Sequence, residues 1–236
     1  MCFISVAIYY TIDFLTTPPR INYPAFGIYI PPDYSIHGID VSHYQRVIDW
    51  NSVKAMQVKN IKIGFVFIKA TEGIGKMDAY FRRNWLRAEE QKISKGAYHY
   101  FIAGKSGNRQ AQNFIDIVKL KKGDLPPVLD IEKANGNEVN DIRTEVKIWL
   151  TKIEQHYKVK PVVYTNIDFY NNYLNEAFDE YPFWIAHYLQ PMKPRLSRKW
   201  IFWQHSEKGH VNGIKSTVDF NIFAGDSSNF KELLMK

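Results

Sequence analysis

The chain has 236 residues, 45% of them apolar and 15% aromatic, which suits one full-sized α/β domain with a core or cleft lined by rings. Its one cysteine, Cys2, excludes an intrachain disulfide framework. The net charge of +7 favours a polyanionic partner, but Lys and Arg form no dense run, which argues against specific nucleic-acid binding.

Residues 1–15 (MCFISVAIYYTIDFL) are apolar but interrupted by Asp13. They lack a basic leading segment and are too short to span a bilayer unaided. Residues 16–35 are rich in Pro, Tyr and Gly and read as a linker or extended arm. Two readings stand for this start: the remainder of a signal or membrane anchor, or an extra strand or hairpin packed on the domain. The expected division is an N-terminal segment over 1–36 and one barrel domain over 37–236.

From His37 onward, strand-like and helix-like patterns alternate. Residues 38–42 (GIDVS) make the first candidate strand, and Asp49 is placed to cap a short helix carrying Val53 and Met56. Residues 63–70 (IGFVFIKA) form a continuous apolar run of the kind buried on both faces in parallel sheets. Residues 79–93 put Phe81, Trp85 and Leu86 at helical spacing. Residues 96–101 (GAYHYF) make the third strand, and Ala111, Phe114, Ile115 and Val118 mark the next helix.

The fourth strand, LPPVLDIE over 125–132, ends an apolar run on two carboxylates. In an extended strand, positions 130 and 132 share a face, roughly 6–7 Å apart. Burying one carboxylate is expensive, and burying two side by side more so. The plain alternative is a strand end with two solvated acids.

The long helix over 138–157 follows, then a strand over 159–165 and a brief helix capped by Asn166. Three further strands come without long helices between them: 181–188 (YPFWIAHY), 200–206 (WIFWQHS) and 214–222 (IKSTVDFNI). A short helix over 230–235 closes the chain. The expected fold is an irregular TIM-like (β/α)5(β)3 barrel, with eight strands and helices after the first five.

Barrel chemistry sits at the carboxyl ends of strands. Asp40 lies near the end of strand one, Asp130 and Glu132 end strand four, and Asp219 lies in strand eight, beside strand one once the barrel closes. Tyr98, Tyr164, Trp184, Tyr188 and Gln204 occupy strands three, five, six and seven and are the expected sugar-contacting groups. Aromatic rings stack on sugar faces while Tyr O–H and Trp N–H still hydrogen-bond. Taken singly, each ring reads more simply as core packing. His99, His187 and His205 lie on strands without a metal-binding spacing, so no metal and no cofactor is expected.

Several motifs occur in order: GIDVSHYQ (38–45), IKATEG (68–73), GAYHY (96–100), DIE (130–132), WIA (184–186), WQ (203–204) and VD (218–219). In them the chain resembles glycoside hydrolase family 25, the Chalaropsis-type lysozymes, from about His37 to the C-terminus. His205 departs from the pattern, which often has Tyr after Trp-Gln.

The resemblance implies a flattened, irregular barrel and cleavage of the β-1,4 bond from N-acetylmuramic acid to N-acetylglucosamine in peptidoglycan. It favours a retaining route in which the substrate's own acetamido group attacks. Glu132 is then the general acid, protonated beside an ionised Asp130 that steadies an oxazolinium ion, with Asp40 and Asp219 in support. The expected partner is the peptidoglycan glycan strand, bound by a monomer in the cell envelope or outside the cell, with an N-terminal membrane anchor as an added option. Two rivals remain: a non-catalytic peptidoglycan-binding relative, and a chitinase-like hydrolase on the same barrel.

Overall fold

The computed structural model describes residues 21–236. Eight of its strands close into a barrel: β1 (His37–Val41), β2 (Ile61–Glu72), β3 (Ser94–Tyr100), β4 (Val128–Asp130), β5 (Val162–Asn166), β6 (Phe183–Ala186), β7 (Phe202–Gly209) and β8 (Val218–Phe223). Each pairs with the next, and β1 pairs with both β2 and β8 to close the ring. All pairings are parallel except those of β8, which runs antiparallel to β7 and to β1.

Helices follow the first five strands, as expected. They are α1 (Trp50–Ala55), α2 (Phe81–Glu90), α3 (Gly107–Ile117), α4 (Val139–Tyr157) and the short α5 (Ile167–Phe169), which runs on into a wide turn to Leu174. Side chains cap three of them. Asp49 accepts from the backbone N–H groups of Asn51 and Ser52, Ser106 from that of Arg109, and Asn166 from that of Phe169. On α2 the inward residues are Phe81, Asn84 and Ala88, while Leu86 is exposed. Five helical steps carry Leu86 about 140° round from Phe81, off the buried face.

The period-two alternation of strands sorts the core into two shells. Ile39, Val41, Val66, Ile68, Leu129, Ile131, Val163 and Ile185 point outward and pack with α3, α4 and their neighbours. Phe65, Phe67, Val128, Val162, Trp184, Phe202 and Phe223 point inward and fill the barrel. Helix α6 (Ser227–Leu233) plugs the lower end with Phe230 against Phe65 and Phe223. The inner rings need two glycines. A Cβ on Gly38 would meet the Phe65 ring at 2.5 Å, and one on Gly96 would meet the Phe67 ring at 2.6 Å. With the lower barrel filled by rings, the polar inward residues are left at the upper mouth.

Residues 1–20 lie outside the described residues. From Ile21, within the stretch that looks like a linker or arm, the chain folds into an antiparallel hairpin, Ile21–Tyr23 with Ile28–Ile30, in keeping with the second of the two readings for this start. The turn closes at Gly27, whose φ of +67° suits glycine. Tyr23, Phe26, Ile28 and Ile30 are buried, with Phe26 edge-on to Phe220 of β8 at 5.1 Å. The backbone N–H of His210 donates to Phe26 O at 2.9 Å, tying the turn to the end of β7. Phe26→Ala is expected to destabilise the whole domain by about 3 kcal/mol, as buried aromatic truncations do. Denaturant unfolding checks this; an unchanged midpoint would mean the hairpin is detachable.

Candidate active site

The open cleft at the barrel mouth has a volume of about 250 Å³. All four predicted acids and all five predicted contact residues line it. Each arrives by the same logic: a residue two positions beyond an inward-facing one is itself inward. Asp40 follows Gly38, Asp130 follows Val128, Tyr98 follows Gly96, and Gln204 follows Phe202.

The acids form two pairs. Asp130 ends β4, and Glu132 sits just beyond it, where the strand has already stopped. The backbone still makes one more sheet-like bond, Ile131 N–H to Tyr164 O at 3.0 Å, so both carboxyls keep facing the cleft. They are in mutual hydrogen-bond contact. Asp40 and Asp219 are paired across the β1–β8 ladder and likewise touch. Asp219 stands near the start of β8, and it reaches the rim of the cleft because β8 runs antiparallel.

Burial sets the proton affinities. Asp130 is pushed well above the usual carboxylate range, first by burial and then by the charge of Glu132, against an opposing pull from Lys69. Glu132 is raised as well, again chiefly by burial, while Asp130, Lys133 and Lys69 hold it down. The sequence reading put the proton on Glu132, beside an ionised Asp130, and a neighbouring charge is one cause that would do so. Here desolvation is the larger cause, and it acts more strongly on the deeper Asp130. Two carboxyls in contact titrate as a unit, so the pair is best described as sharing one proton.

The second pair divides more clearly. Asp219 is raised to about 9, by burial and then by the charge of Asp40. Asp40 reaches only about 6, because it is buried but accepts from Asn221 and Gln204. Asn221 Nδ2 donates to Asp40 Oδ2 at 2.7 Å and Gln204 Nε2 donates to the same oxygen at 2.9 Å. Near neutral pH, Asp40 is therefore the anion and Asp219 the neutral acid beside it.

This pairing has a consequence for stability. Both groups bind protons more tightly folded than unfolded, so their stabilisation is complete below the unfolded carboxylate range and is lost as pH rises through 6 and then 9. Asp219→Asn keeps a donor beside Asp40 but removes the acid that must ionise. It is expected to raise stability at pH 8.5 by on the order of 2–4 kcal/mol and to change it little at pH 5. Thermal melts at the two pH values test this; an equal shift at both would show that the gain is packing, not titration.

The predicted contact residues split into two sorts. Tyr164 and Tyr188 both donate from their hydroxyls to Gln204 Oε1, at 2.9 and 2.6 Å. Gln204 relays that polarity to Asp40. Trp184 is 2% exposed, stacks on Phe67 at 4.6 Å, and spends its indole N–H on Asn221 Oδ1 at 2.8 Å. Trp184 and Tyr164 are thus floor residues that fix Asp40, whereas Tyr188 is half-buried at the cleft edge.

Several cleft residues were not singled out from the sequence. Lys69 is the chief one: a largely buried cation whose Nζ lies 2.7 Å from Glu72 and 4.6 Å from the centre of the Tyr100 ring. Its signal was present, because Phe65, Phe67 and Lys69 share the inward face of β2. Asn221, which holds Asp40, follows Asp219 by the same step of two. Tyr44, Gln45, Tyr100 and Glu207 complete the rim. His99 is internal: it bonds Thr71 and Gln110 and stacks on Trp149. Among the described residues, no group of three or more His, Cys, Asp or Glu side chains is arranged to hold a metal ion.

Comparisons with known proteins agree with this geometry. The description "Glycosyl hydrolases family 25" matches residues 39–214, a range that includes Asp40, Asp130 and Glu132 and stops before Asp219. Protein YegX of Escherichia coli (strain K12) is 44% identical over 201 residues, 85% of this chain and 74% of that one. Lysozyme M1 of Streptomyces globisporus is 34% identical over 219 residues, 86% of this chain and 73% of its own length. Among solved structures, a family 25 glycosyl hydrolase from Bacillus anthracis superposes with a TM-score of 0.79 at 32% identity, covering 93% of this chain and all of that one. A bacterial lysozyme from Streptomyces coelicolor gives 0.75 at 31% identity, over 86% and 98% of the two chains. With its barrel, its acid-lined mouth and three quarters of its length matched, this chain belongs to glycosyl hydrolase family 25.

Proposed function

We propose that this glycoside hydrolase acts as an N-acetylmuramidase. It cuts the β-1,4 bond between N-acetylmuramic acid and N-acetylglucosamine in peptidoglycan, with Glu132 as general acid and Asp130 as the charge that steadies the intermediate. Peptidoglycan hydrolysis is the activity that its lysozyme relatives support. One arrangement carries the finer reading: a buried and a half-buried carboxyl in contact at the end of β4, sharing a proton, in a cleft where the second acid pair is held by a hydrogen-bond network.

Glycoside cleavage needs a proton for the leaving oxygen and negative charge beside the oxocarbenium-like centre. The Asp130–Glu132 pair can supply both from one shared proton. As positive charge builds at the anomeric carbon beside Asp130, that carboxyl is favoured as the anion and the proton is held on Glu132. Glu132 is less buried than Asp130, which suits a group that must reach a leaving oxygen. In a substrate carrying a 2-acetamido group, the amide oxygen attacks the anomeric carbon, and the Asp130 carboxylate accepts the hydrogen bond of the amide N–H. Water then opens the oxazolinium ion, and Glu132, now ionised, takes its proton. Asp40 and Asp219 hold the opposite wall and present one negative charge to the sugar.

Mass spectrometry of digested peptidoglycan tests the reading. Fragments ending in reducing N-acetylmuramic acid support it, and fragments ending in reducing N-acetylglucosamine overturn the bond assignment. Binding without new reducing ends points to the non-catalytic rival; cleavage of chitin alone points to the chitinase-like one. The substrate places the protein's work at the cell wall, and we infer an envelope or extracellular site of action. Among the described residues no helix is long and apolar enough to cross a membrane.

A further inference from the structure

Several rings line the catalytic cleft, but few of them offer a face. Trp184, Tyr164 and Tyr98 are 2%, 6% and 8% exposed and belong to its floor. Tyr188 gives its hydroxyl to Gln204, and Tyr100 carries the Lys69 ammonium over its ring at 4.6 Å. Tyr44 differs from all of these: it is 74% exposed and stands in the cleft wall. A lone exposed ring elsewhere on a surface needs no explanation, but at the lip of a cleft it is a surface that a ligand can cover.

The ring is also held in place. Tyr44 belongs to the single turn His43–Gln45, just beyond β1. Ser42 and Gln45 close this turn on each other. Ser42 Oγ accepts from the Tyr44 N–H at 3.3 Å, and Gln45 Oε1 accepts from the Ser42 N–H at 2.9 Å. Gln45 Nε2 donates to Thr217 O at 3.1 Å, which ties the turn to the segment leading into β8. On the other side, the buried Asp78 accepts from the His43 N–H at 2.9 Å, and the same carboxylate oxygen lies 2.9 Å from His43 Nδ1. The His43 ring fixed in this way backs Tyr44, with centroids 4.2 Å apart and planes 32° from parallel. One face of Tyr44 thus rests on a support and the other is open. A ring fixed in advance gives up little freedom when a ligand lies on it.

Its place relative to the acids follows from Tyr100. That residue pairs with Asp130 across the β3–β4 ladder. Its hydroxyl is pushed up to about 12, chiefly by burial and then by Asp130 and Glu132, and it is close enough to Tyr44 to feel it as well. Tyr44 therefore stands one side chain away from the acid pair, at the lip of the cleft and not at its floor.

We propose that Tyr44 is the stacking platform of an outer subsite, which holds a sugar of the glycan strand beyond the two joined by the cleaved bond. The C–H face of an N-acetylated hexosamine lies on the open face of the ring, with His43 and Asp78 as the positioning residues behind it. Stacking of this kind reads the flat of the sugar and asks little of its substituents, so the subsite takes either sugar of an alternating strand. The inference rests on the peptidoglycan reading of the main cleft.

The test compares two soluble substrates: the shortest oligomer of alternating N-acetylglucosamine and N-acetylmuramic acid that wild-type protein cuts, and long strands of the same repeat. Wild-type protein is expected to show the higher kcat/KM on long strands. Tyr44→Ala should lower the ratio of kcat/KM on long strands to that on the short oligomer by about 5–10-fold, chiefly through KM. Its melting temperature should match wild type, because the side chain is exposed. Tyr44→Phe keeps the face and loses only the hydroxyl, so it should keep the wild-type ratio. An unchanged ratio in Tyr44→Ala overturns the outer subsite. A Tyr44→Phe ratio as low as that of Tyr44→Ala overturns stacking, because the hydroxyl would then do the binding. No cleavage of peptidoglycan or of any oligomer by wild-type protein overturns the main-cleft reading instead.

Discussion

Glu132→Gln is expected to cut turnover on peptidoglycan by about 10²–10⁴-fold while the fold stays intact. The amide is close in shape to the acid but has no proton to deliver to the leaving oxygen. Because burial raises Glu132, replacing it also removes a group whose ionisation is unfavourable in the fold. The melting temperature should therefore hold or rise slightly, and loss of activity cannot be blamed on unfolding. The measurement is release of new reducing ends from purified wall. Rescue sharpens it: a substrate with an aryl leaving group that departs without protonation should recover most of the lost rate. Near-wild-type activity on peptidoglycan would show that another group delivers the proton, and Asp219, the other neutral acid in the cleft, would be the next to examine.

The legible part of this fold was the part governed by period and spacing. Strands 128–130 and 61–72 announced themselves by apolar content, and α3 and α4 by three-and-four spacing, since inward and outward faces must be apolar in a doubly covered barrel wall. The acids were legible together and not singly: each alone reads as a solvated strand end, but Asp40, Asp130, Glu132 and Asp219 all fall where a closed barrel brings strands to one mouth. Two kinds of information were not legible. The first was strand direction. Nothing in VDFNIF says that β8 runs antiparallel, yet that direction decides whether Asp219 faces the mouth or the floor. The second was long-range pairing. Residues 16–35 look like a linker because Pro, Tyr and Gly dominate them, and the burial of Phe26 depends on Phe220, far along the chain.

Lys69 marks a middle case. Its position on the inward face of β2 follows from Phe65 and Phe67, but a lysine after an apolar run is usually a solvated strand end. What makes it internal is Glu72, three residues on, which pairs with it at 2.7 Å and lets the cation stay under the rim. The hydrogen-bond donors of Trp184, Tyr164 and Tyr188 were foreseen as sugar contacts. In the structure they are committed to Asn221 and Gln204, and through these to Asp40. Aromatic residues at strand positions could be assigned to the cleft from the sequence, but the direction of their polar ends depends on partners in other strands.

Asp130→Asn should lower turnover by about 10²–10³-fold, and the reason differs from that for Glu132. Asp130 is 6% exposed, and its Oδ1 has no partner within the protein. A carboxylate so largely removed from water, in the lining of the cleft, stabilises a developing cation strongly. Asparagine keeps the shape and a carbonyl oxygen, so substrate should still bind with KM changed by no more than a few-fold. The charge that steadies the oxazolinium ion is gone. Two measurements separate this role from proton delivery. An aryl leaving group should not rescue Asp130→Asn, because the defect lies at the anomeric centre and not at the departing oxygen. A cyclic mimic of the oxazolinium ion should lose most of its affinity for the variant, while an uncleaved oligosaccharide binds nearly as before. If the variant instead keeps its rate and only binds substrate more weakly, Asp130 is a substrate-positioning group, and the charge must come from Asp40, the anion held across the cleft by Gln204 and Asn221.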